Sequence, residues 1–217
     1  MRTLAPGQFG PKEGGGGQED PPTDQQQHAV LHAMITPEAE ATKSRRPGQQ
    51  AERIILGIDP GTTVMGFGVI EVLGRHVRLL EADAIRFPAG DDHALKLRAI
   101  FRHVVQIIER HKPDELAIEA QFFGKNVQSM LKLGRAQGVA IAAALQHDIP
   151  VAEYAPKRVK QSITGRGAAT KEQVAAMLPG LLGTKALPKS MDATDAVAVA
   201  LCHHFAAGMA ATARPSG

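Results

Sequence analysis

Four acidic residues stand where they could share one site. An uninterrupted apolar run ends at Asp59, and a shorter one ends at Glu119. Such runs predict strands buried on both faces, so a carboxylate at their end is rigidly held and open to a ligand. Asp192 and Asp195 lie three residues apart, a spacing that places both on one face of a helix. Four converging carboxylates without an evident basic partner repel one another, and divalent cations usually neutralise clusters of this kind.

The chemistry that fits such a cluster is metal-assisted hydrolysis. Two cations about 4 Å apart can activate a water, bridge a scissile phosphate and stabilise the leaving oxygen. Each acid also has a structural interpretation. Asp59 could cap the turn that follows it, Glu119 could be a surface acid, and Asp192 could be a helix N-cap with Asp195 in the first turn. Because all four are predicted to meet at one end of a sheet, the joint pattern favours a metal site.

The elements that would position these acids can be predicted from periodicity. Short connections between the first three strands indicate an antiparallel meander, and helices separate the later strands. The predicted strands cover residues 53–59, 64–72, 76–87, 114–119 and 150–154, and the predicted helices cover 92–110, 126–147, 156–163, 171–178 and 191–206. This order predicts an α/β fold with a mixed five-stranded sheet flanked by helices.

Composition separates a tail from a domain. The chain has 217 residues, and residues 1–52 hold seven Gly, six Pro and seven Gln. That composition predicts a disordered N-terminal extension, followed by one folded domain over 53–207 and a flexible tail over 208–217. The extension holds 5 basic and 7 acidic residues, so the remaining 165 hold 20 and 15 and carry the basic charge. No signal peptide or membrane helix is evident, and we expect a cytoplasmic protein without membrane contact.

Basic and aromatic residues supply a candidate DNA surface. Five cations fall within fifteen residues, an arrangement that positions phosphates without reading bases. They are Lys157, Arg158, Lys160, Arg166 and Lys171. Phe122 and Phe123 are adjacent in a segment that joins a strand to a helix, beside Lys125. One exposed phenyl ring there could stack on an unpaired base, whereas the alternative is that both rings pack beneath the following helix.

Four ordered motifs resemble those of RuvC-type Holliday junction resolvases. They are Gly57-Ile58-Asp59-Pro60-Gly61, Ala117-Ile118-Glu119, the segment LKLGRAQGVA over 131–140, and Asp192-Ala193-Thr194-Asp195-Ala196. The resemblance covers residues 53–206 and does not include residues 1–52.

The resemblance implies an RNase H-like fold, a homodimer, Mg²⁺ dependence with Mn²⁺ as a substitute, and paired nicks across a four-way DNA junction. It also implies a branch-migration motor partner of the RuvA and RuvB type. By motif, the catalytic and metal-ligating positions fall on Asp59, Glu119, Asp192 and Asp195. The aromatic position after the glutamate falls on Phe122, and two basic positions near the active site fall on Lys160 and Lys171.

Other functions remain open on residues alone. The segment from Asp59 to Thr63 also resembles the first phosphate loop of actin-like ATPases and sugar kinases, but the second loop and adenosine site of that fold are not evident in the sequence. A non-catalytic junction-binding protein would be expected to lack one of the acids. A nuclease for RNA:DNA hybrids or transposon ends would keep the same fold and acids. A zinc site at Cys202-His203-His204 would need further ligands at fixed spacing.

Overall fold

The computed structural model describes residues 53–74, 76–90, 92–120, 126–184 and 188–212, with the side chains of 209–212 excepted. Its strands are β1 (Arg53–Asp59), β2 (Val64–Leu73), β3 (His76–Arg86), β4 (Glu115–Glu119) and β5 (Val151–Tyr154). Its helices are α1 (His93–His111), α2 (Val127–Leu145), α3 (Pro156–Thr164), α4 (Lys171–Leu182) and α5 (Met191–Thr212). The predicted extension over 1–52 lies outside the described residues.

The five strands form one mixed sheet, which confirms the predicted fold class. Their order across the sheet is β3-β2-β1-β4-β5. Strands β1, β2 and β3 pair antiparallel as the predicted meander, and β4 and β5 continue the sheet parallel to β1. Since β1 and β4 are parallel, with Ile58 opposite Ile118, they end at the same edge of the sheet. We call it the carboxyl edge.

Two helices are longer than predicted. The helix predicted to end at residue 178 extends to Leu182, although Pro179 lies inside it and cannot donate a backbone hydrogen bond. It ends where Gly183 adopts a left-handed conformation with φ 60°, a common helix C-terminal arrangement. The last helix continues to Thr212, six residues beyond the predicted end and into the predicted flexible tail. Its final residues include three alanines, which are strong helix formers.

Each face of the sheet carries its own hydrophobic core. On one face Leu56, Ile58 and Ile118 pack with buried residues of α1 and α2. On the other face Ile55 and Ala117 pack with α3, α4 and the length of α5. A strand covered on both sides is apolar at every position, which explains why β1 and β4 are continuous apolar runs rather than alternating ones.

Glycines in the central strands let α5 lie very close to the sheet. A Cβ atom at Gly57 would collide with the Ala196 carbonyl oxygen, and one at Gly66 would collide with the Asp192 carbonyl oxygen. Glycine inside a strand often marks such a close backbone approach. The contact fixes the first turns of α5 above β1 and β2. Among the described helices, none is both long and apolar enough to cross a bilayer.

Candidate active site

Asp59 and Glu119 lie side by side at the carboxyl edge. Asp59 is the last residue of β1 and Glu119 the last of β4, the next strand across the sheet. Adjacent strands are about 4.8 Å apart, so the two side chains begin at neighbouring positions. Glu119 is also paired with Tyr154 of β5, and the following Ala120 N–H donates to the Tyr154 carbonyl at 2.9 Å. The backbone under both acids is therefore fixed by strand pairing.

Asp192 and Asp195 reach the same edge from α5. Asp192 is in the first turn of the helix, where its carboxylate accepts a hydrogen bond from the Ser190 hydroxyl at 3.3 Å. The contact between the Asp192 carbonyl and Gly66 places this turn over β2, and Gly66 is the register partner of Asp59. Asp192 thus lies inside the helix rather than at its N-cap.

Burial and like charge make Asp59 the most perturbed acid of the group. Desolvation, together with repulsion from Glu119, Asp195 and Asp192, raises the pKa of Asp59 to about 7, and nearby Lys171 only partly opposes this. Asp59 therefore lies within electrostatic reach of the other three acids. A carboxylate held in this way gains from any cation that binds beside it.

Glu119 shares the same environment and borders a cleft. Burial raises the pKa of Glu119, and the charge of Asp195 adds to the effect, while Lys171 and Lys160 oppose it. A cleft of about 140 Å³ lies beside it, lined by Glu119, Pro156, Val159, Lys160, Lys171, Val174, Asp195 and Ala198. Its rim is charged and its floor is apolar, so a phosphate at the rim would sit in a partly desolvated place.

The expectation that the acids have no basic partner is wrong for Asp195. The Lys171 ammonium, at the start of α4, donates a hydrogen bond to the Asp195 carboxylate. Burial disfavours the charged ammonium, but this bond and the charges of Asp195, Asp59 and Glu119 outweigh it, so the pKa of Lys171 is raised. Lys171 therefore belongs to the cluster itself as well as to the predicted DNA surface.

The donor set has the right chemistry for a hard divalent cation. Carboxylate oxygens are the ligands that Mg²⁺ prefers, and Asp59 is buried beside three other acids with one lysine among them. In the described part of the chain, no three His, Cys, Asp or Glu side chains are close enough together to enclose an ion. The Lys171 ammonium is bonded to Asp195 at this edge. The four acids fit a hard divalent cation by donor type, charge and position at the carboxyl edge.

The structure places most of the predicted basic cluster on α3 and the turn after it. Lys160 is half-buried and lies near enough to lower the pKa of Glu119. Arg158 stacks over the Tyr154 ring at 5.4 Å, and the Lys157 stem packs against Gly167. Arg166 is exposed beyond the end of α3. Lys160 and Lys171 are therefore the members nearest the acids, and the others form the outer surface.

The predicted aromatic segment is outside the described residues. Phe122, Phe123 and Lys125 belong to the stretch 121–125, which separates β4 from α2. Its ends are described: it leaves Ala120 next to Glu119 and returns at Asn126, whose side chain caps α2 by accepting from the Ser129 N–H at 3.1 Å. The segment therefore starts beside the acids.

A buried hydrogen-bonded chain behind the site was not predicted. The Tyr154 hydroxyl pairs with His203 Nδ1 at 2.7 Å, and His203 Nε2 pairs with the Glu115 carboxylate at 2.9 Å. These contacts tie α5 to β4 and β5. His203 has no role in a zinc site among the described residues, and Cys202 is a buried free thiol. The close approach of α5 to the sheet could have been anticipated from the sequence, because single glycines inside strands often mark a close approach of another backbone.

Comparison with known proteins decides the family. The family model described as "Crossover junction endodeoxyribonuclease RuvC" matches residues 55–203, which include all four acids. The chain belongs to the RuvC family. A family member from Cytophaga hutchinsonii is 57% identical over 157 residues, covering 72% of this chain and 78% of the relative. Another, from Christiangramia forsetii, is 54% identical over 159 residues, covering 73% and 83%.

Solved RuvC structures share the fold. The structure titled "T. thermophilus RuvC in complex with Holliday junction substrate" matches with a TM-score of 0.69 and 36% identity, covering 73% of this chain and 96% of that one. The structure titled "Thermus thermophilus RuvC structure" matches with a TM-score of 0.67. Both the RuvC resemblance and the RNase H-like sheet predicted for residues 53–206 are thus confirmed.

Proposed function

We propose that the chain is a metal-dependent endonuclease that resolves four-way DNA junctions by paired symmetric nicks during homologous recombination and repair. It is a crossover junction endodeoxyribonuclease by family. The observation that carries the proposal is that Asp59, at the carboxyl edge, lies near Glu119, Asp192 and Asp195, where burial and then the repulsion of these acids raise the pKa of Asp59 to about 7.

In this proposal the four acids hold Mg²⁺, for which Mn²⁺ substitutes. The bound cation supplies Lewis-acid stabilisation of the phosphate and a water of lowered pKa. The chain's own groups do the rest. Lys160 and Lys171, beside Glu119 and Asp195, hold the phosphate at the rim of the cleft. The apolar floor of the cleft strengthens these charge contacts, because electrostatic interactions grow in a low-dielectric site.

Paired nicks require two such sites, and the exposed face of α2 supports a homodimer. Val127, Leu131 and Leu145 are 67%, 51% and 57% exposed, although each is apolar. Between them a Cβ atom at Gly134 or Gly138 would meet no atom of the chain within 4 Å. An apolar helix face with glycines at its centre allows a second copy to approach closely. A symmetric dimer presents two identical sites to two opposed strands of a junction.

The basic surface is proposed to hold the arms of the junction. Lys157, Arg158 and Arg166 are exposed on or just beyond α3, the helix that follows the edge strand β5. Phosphate contacts of this kind position DNA without reading its sequence. Phe122 and Lys125, in the segment that begins beside Glu119, are proposed to touch the unpaired bases at the crossover.

Two further features rest on the family alone. A branch-migration motor of the RuvA and RuvB type is the proposed partner, because a resolvase acts on junctions that such motors move. A cytoplasmic location is proposed because the two relatives named above are bacterial, and chromosomal junctions of bacteria lie in that compartment.

The test is cleavage of a synthetic four-way junction by the purified protein. We expect symmetric nicks in two opposed strands with Mg²⁺, and none after chelation. Linear duplex and an RNA:DNA hybrid serve as substrates in parallel, and Asp59→Asn is the inactive control. If the RNA:DNA hybrid is cleaved as fast as the junction or faster, the hybrid rather than the junction is the substrate. If the junction is cleaved at the same rate in excess chelator, the metal mechanism is refuted.

A further inference from the structure

One exposed cation lies at the carboxyl edge on the side opposite the predicted basic cluster. Arg86 is the last residue of β3, paired with Val64 at the start of β2. Because β3 and β1 run in the same direction, with β2 antiparallel between them, Arg86 and Asp59 end at the same edge. Ile85 packs into the core on the α1 face, so by alternation along the strand Arg86 is on the face that carries α5.

A second exposed cation lies in the segment that leads into α5. Pro188 borders β3 near Ala82 in a surface cleft. Four residues later the Asp192 carbonyl lies against Gly66, whose partner on β3 is Ala84. The segment 188–192 therefore crosses from the outer edge of β3 to β2. Lys189 is exposed within that crossing, on the face of the sheet that carries α5 and between the levels of Ala82 and Ala84 on β3.

Neither Arg86 nor Lys189 has a carboxylate partner in the described part of the chain, whereas several other cations do. Arg78 on the same strand pairs with Glu71, Arg110 pairs with Glu81, and Lys171 pairs with Asp195. Because these two cations have no carboxylate partner within the described residues, they can bind an anionic ligand.

We infer that Arg86 and Lys189 form a second phosphate-binding flank, which holds the cleaved strand on the far side of the acids from Lys160 and Lys171. This rests on the proposed function and names how the same site grips its substrate. The name "β3 flank" refers to Arg86 and Lys189 together. With it, cations stand on both sides of the acids along one edge, and a DNA strand that crosses the edge is neutralised before and after the scissile phosphate.

Strand spacing sets where on the DNA the β3 flank acts. Arg86 is two strands from Asp59, a lateral separation of about 10 Å. One strand of a duplex rises about 3.4 Å along the helix axis per nucleotide, and its phosphates are farther apart than this rise, so the contact falls within about three nucleotides of the scissile phosphate. The guanidinium of Arg86 suits a bidentate phosphate contact, and the ammonium of Lys189 acts as a second point charge.

The experiment measures binding and cleavage of a four-way junction by Arg86→Ala, Lys189→Ala and the double variant, over a salt series. Each single variant should weaken junction binding and lower the log–log salt slope by about 0.9, the expected loss of one phosphate contact. Arg78→Ala is the matched control, since it removes the same side chain from the same strand away from the edge, and its slope should equal that of the wild type.

A scan of neutral methylphosphonates along the cleaved strand then locates the contact. When the neutral group replaces the contacted phosphate, within about three nucleotides of the nick and on one side only, wild type and Arg86→Ala should bind equally, because the charge that Arg86 contacts is already gone. Arg86→Lys should recover most of the binding. If Arg86→Ala unfolds at a lower temperature than Arg78→Ala, the salt series and the methylphosphonate scan are repeated with Lys189→Ala, whose side chain is not part of a strand.

Three outcomes overturn the β3 flank while leaving the proposed function intact. The first is a salt slope equal to that of the wild type for both Arg86→Ala and Lys189→Ala. The second is a loss of junction binding in these variants no larger than that of Arg78→Ala. The third is a methylphosphonate scan in which no position abolishes the difference in binding between the wild type and Arg86→Ala. A wild-type protein that neither binds nor nicks the junction refutes the proposed function instead.

Discussion

Lys171 donates a hydrogen bond to Asp195 across the gap between α4 and α5, and the same ammonium lies in the field of Asp59 and Glu119. The Lys171 ammonium thus stands among the acids of the site, with Lys160 nearby beside Glu119. One ammonium cannot balance four acids, since desolvation and repulsion still raise the pKa of Asp59 to about 7. The remaining negative charge accounts for the affinity that we propose for divalent cations at this edge.

Replacement of Asp59 should separate chemistry from binding. Asp59→Asn removes one proposed metal ligand and leaves every cation of the DNA surface in place. We expect loss of junction nicking with binding retained or tightened, because negative charge near the phosphate is lost. Nicking assays and gel shifts on the same preparation test this. Asp83→Asn, at an exposed acid of β3, is the control and should cleave normally. Near-wild-type nicking by Asp59→Asn would refute the catalytic assignment.

The same substitution should stabilise the metal-free protein at alkaline pH. The pKa of Asp59 is raised from 3.8 to about 7 on folding, so the folded state binds more protons than the unfolded state between those values. Stability of the wild type is therefore lost as the pH rises through this window, by roughly 4 kcal/mol at most. Asn carries no charge and removes this loss. The pKa of Glu119 is also raised, so ionisation of Glu119 also lowers the stability as the pH rises. This contribution remains in the Asp59→Asn variant.

Urea unfolding in chelator at pH 4 and pH 8 measures the effect. Asp59→Asn should exceed the wild type in unfolding free energy at pH 8, and the difference should shrink at pH 4. Addition of Mg²⁺ at pH 8 should stabilise the wild type more than the variant. A variant less stable than the wild type at pH 8 would show that the ionised Asp59 carboxylate does not destabilise the folded state.

The strand ends were predictable from the sequence, whereas the contacts between helices were not. Continuous apolar runs located β1 and β4, and parallel pairing then required Asp59 and Glu119 to meet at one edge. The Lys171–Asp195 bond joins residues 24 apart on two helices. It depends on how α4 and α5 pack, and no periodicity in either helix specifies that. The bond between Tyr154 and His203, 49 residues apart, was missed for the same reason.

The close packing of α5 against the sheet could be predicted only in part from the sequence. Gly57, Gly66 and Gly68 occupy strand positions where a side chain would normally add packing, and that pattern indicates close approach of another backbone. The pattern does not say which element approaches. Only the folded chain shows that the partner is the helix that carries Asp192 and Asp195.

A larger side chain on the exposed face of α2 should weaken dimerisation without unfolding the domain. A Cβ atom at Gly138 meets nothing within 4 Å in the chain, so Gly138→Leu leaves the monomer core intact and gains helix propensity of up to about 1 kcal/mol. Light scattering should show a wild-type dimer and a weakened variant with an unchanged or raised melting temperature.

Gly180→Leu is the matched control for that experiment. Gly180 is also an exposed helical glycine with open space around its Cβ position, but it lies on α4. It should dimerise as the wild type does. A wild type that is monomeric at micromolar concentration, both free and on junction DNA, would refute the paired-site mechanism.

Removal of Lys160 should weaken binding to every DNA form. Lys160 lies on the rim of the cleft beside Glu119, where it is proposed to contact a phosphate. Lys160→Ala should lower the salt slope of binding by about one unit for junction and duplex alike. Lys112→Ala, an exposed lysine after the end of α1, is the control and should leave the slope unchanged. An unchanged slope for Lys160→Ala would remove Lys160 from the DNA surface.

Removal of the Phe122 ring should act on junctions alone. The segment that carries Phe122 begins beside Glu119, and stacking of a base on an aromatic ring contributes roughly 1–3 kcal/mol. Only distorted DNA presents an unstacked base, so Phe122→Ala should slow junction cleavage by about tenfold or more and spare duplex binding. Phe123→Ala is the paired variant. If Phe122→Ala instead lowers the melting temperature sharply, that ring is part of the core and Phe123 becomes the stacking candidate. Equal loss of duplex and junction binding would show that the segment does not select branched DNA.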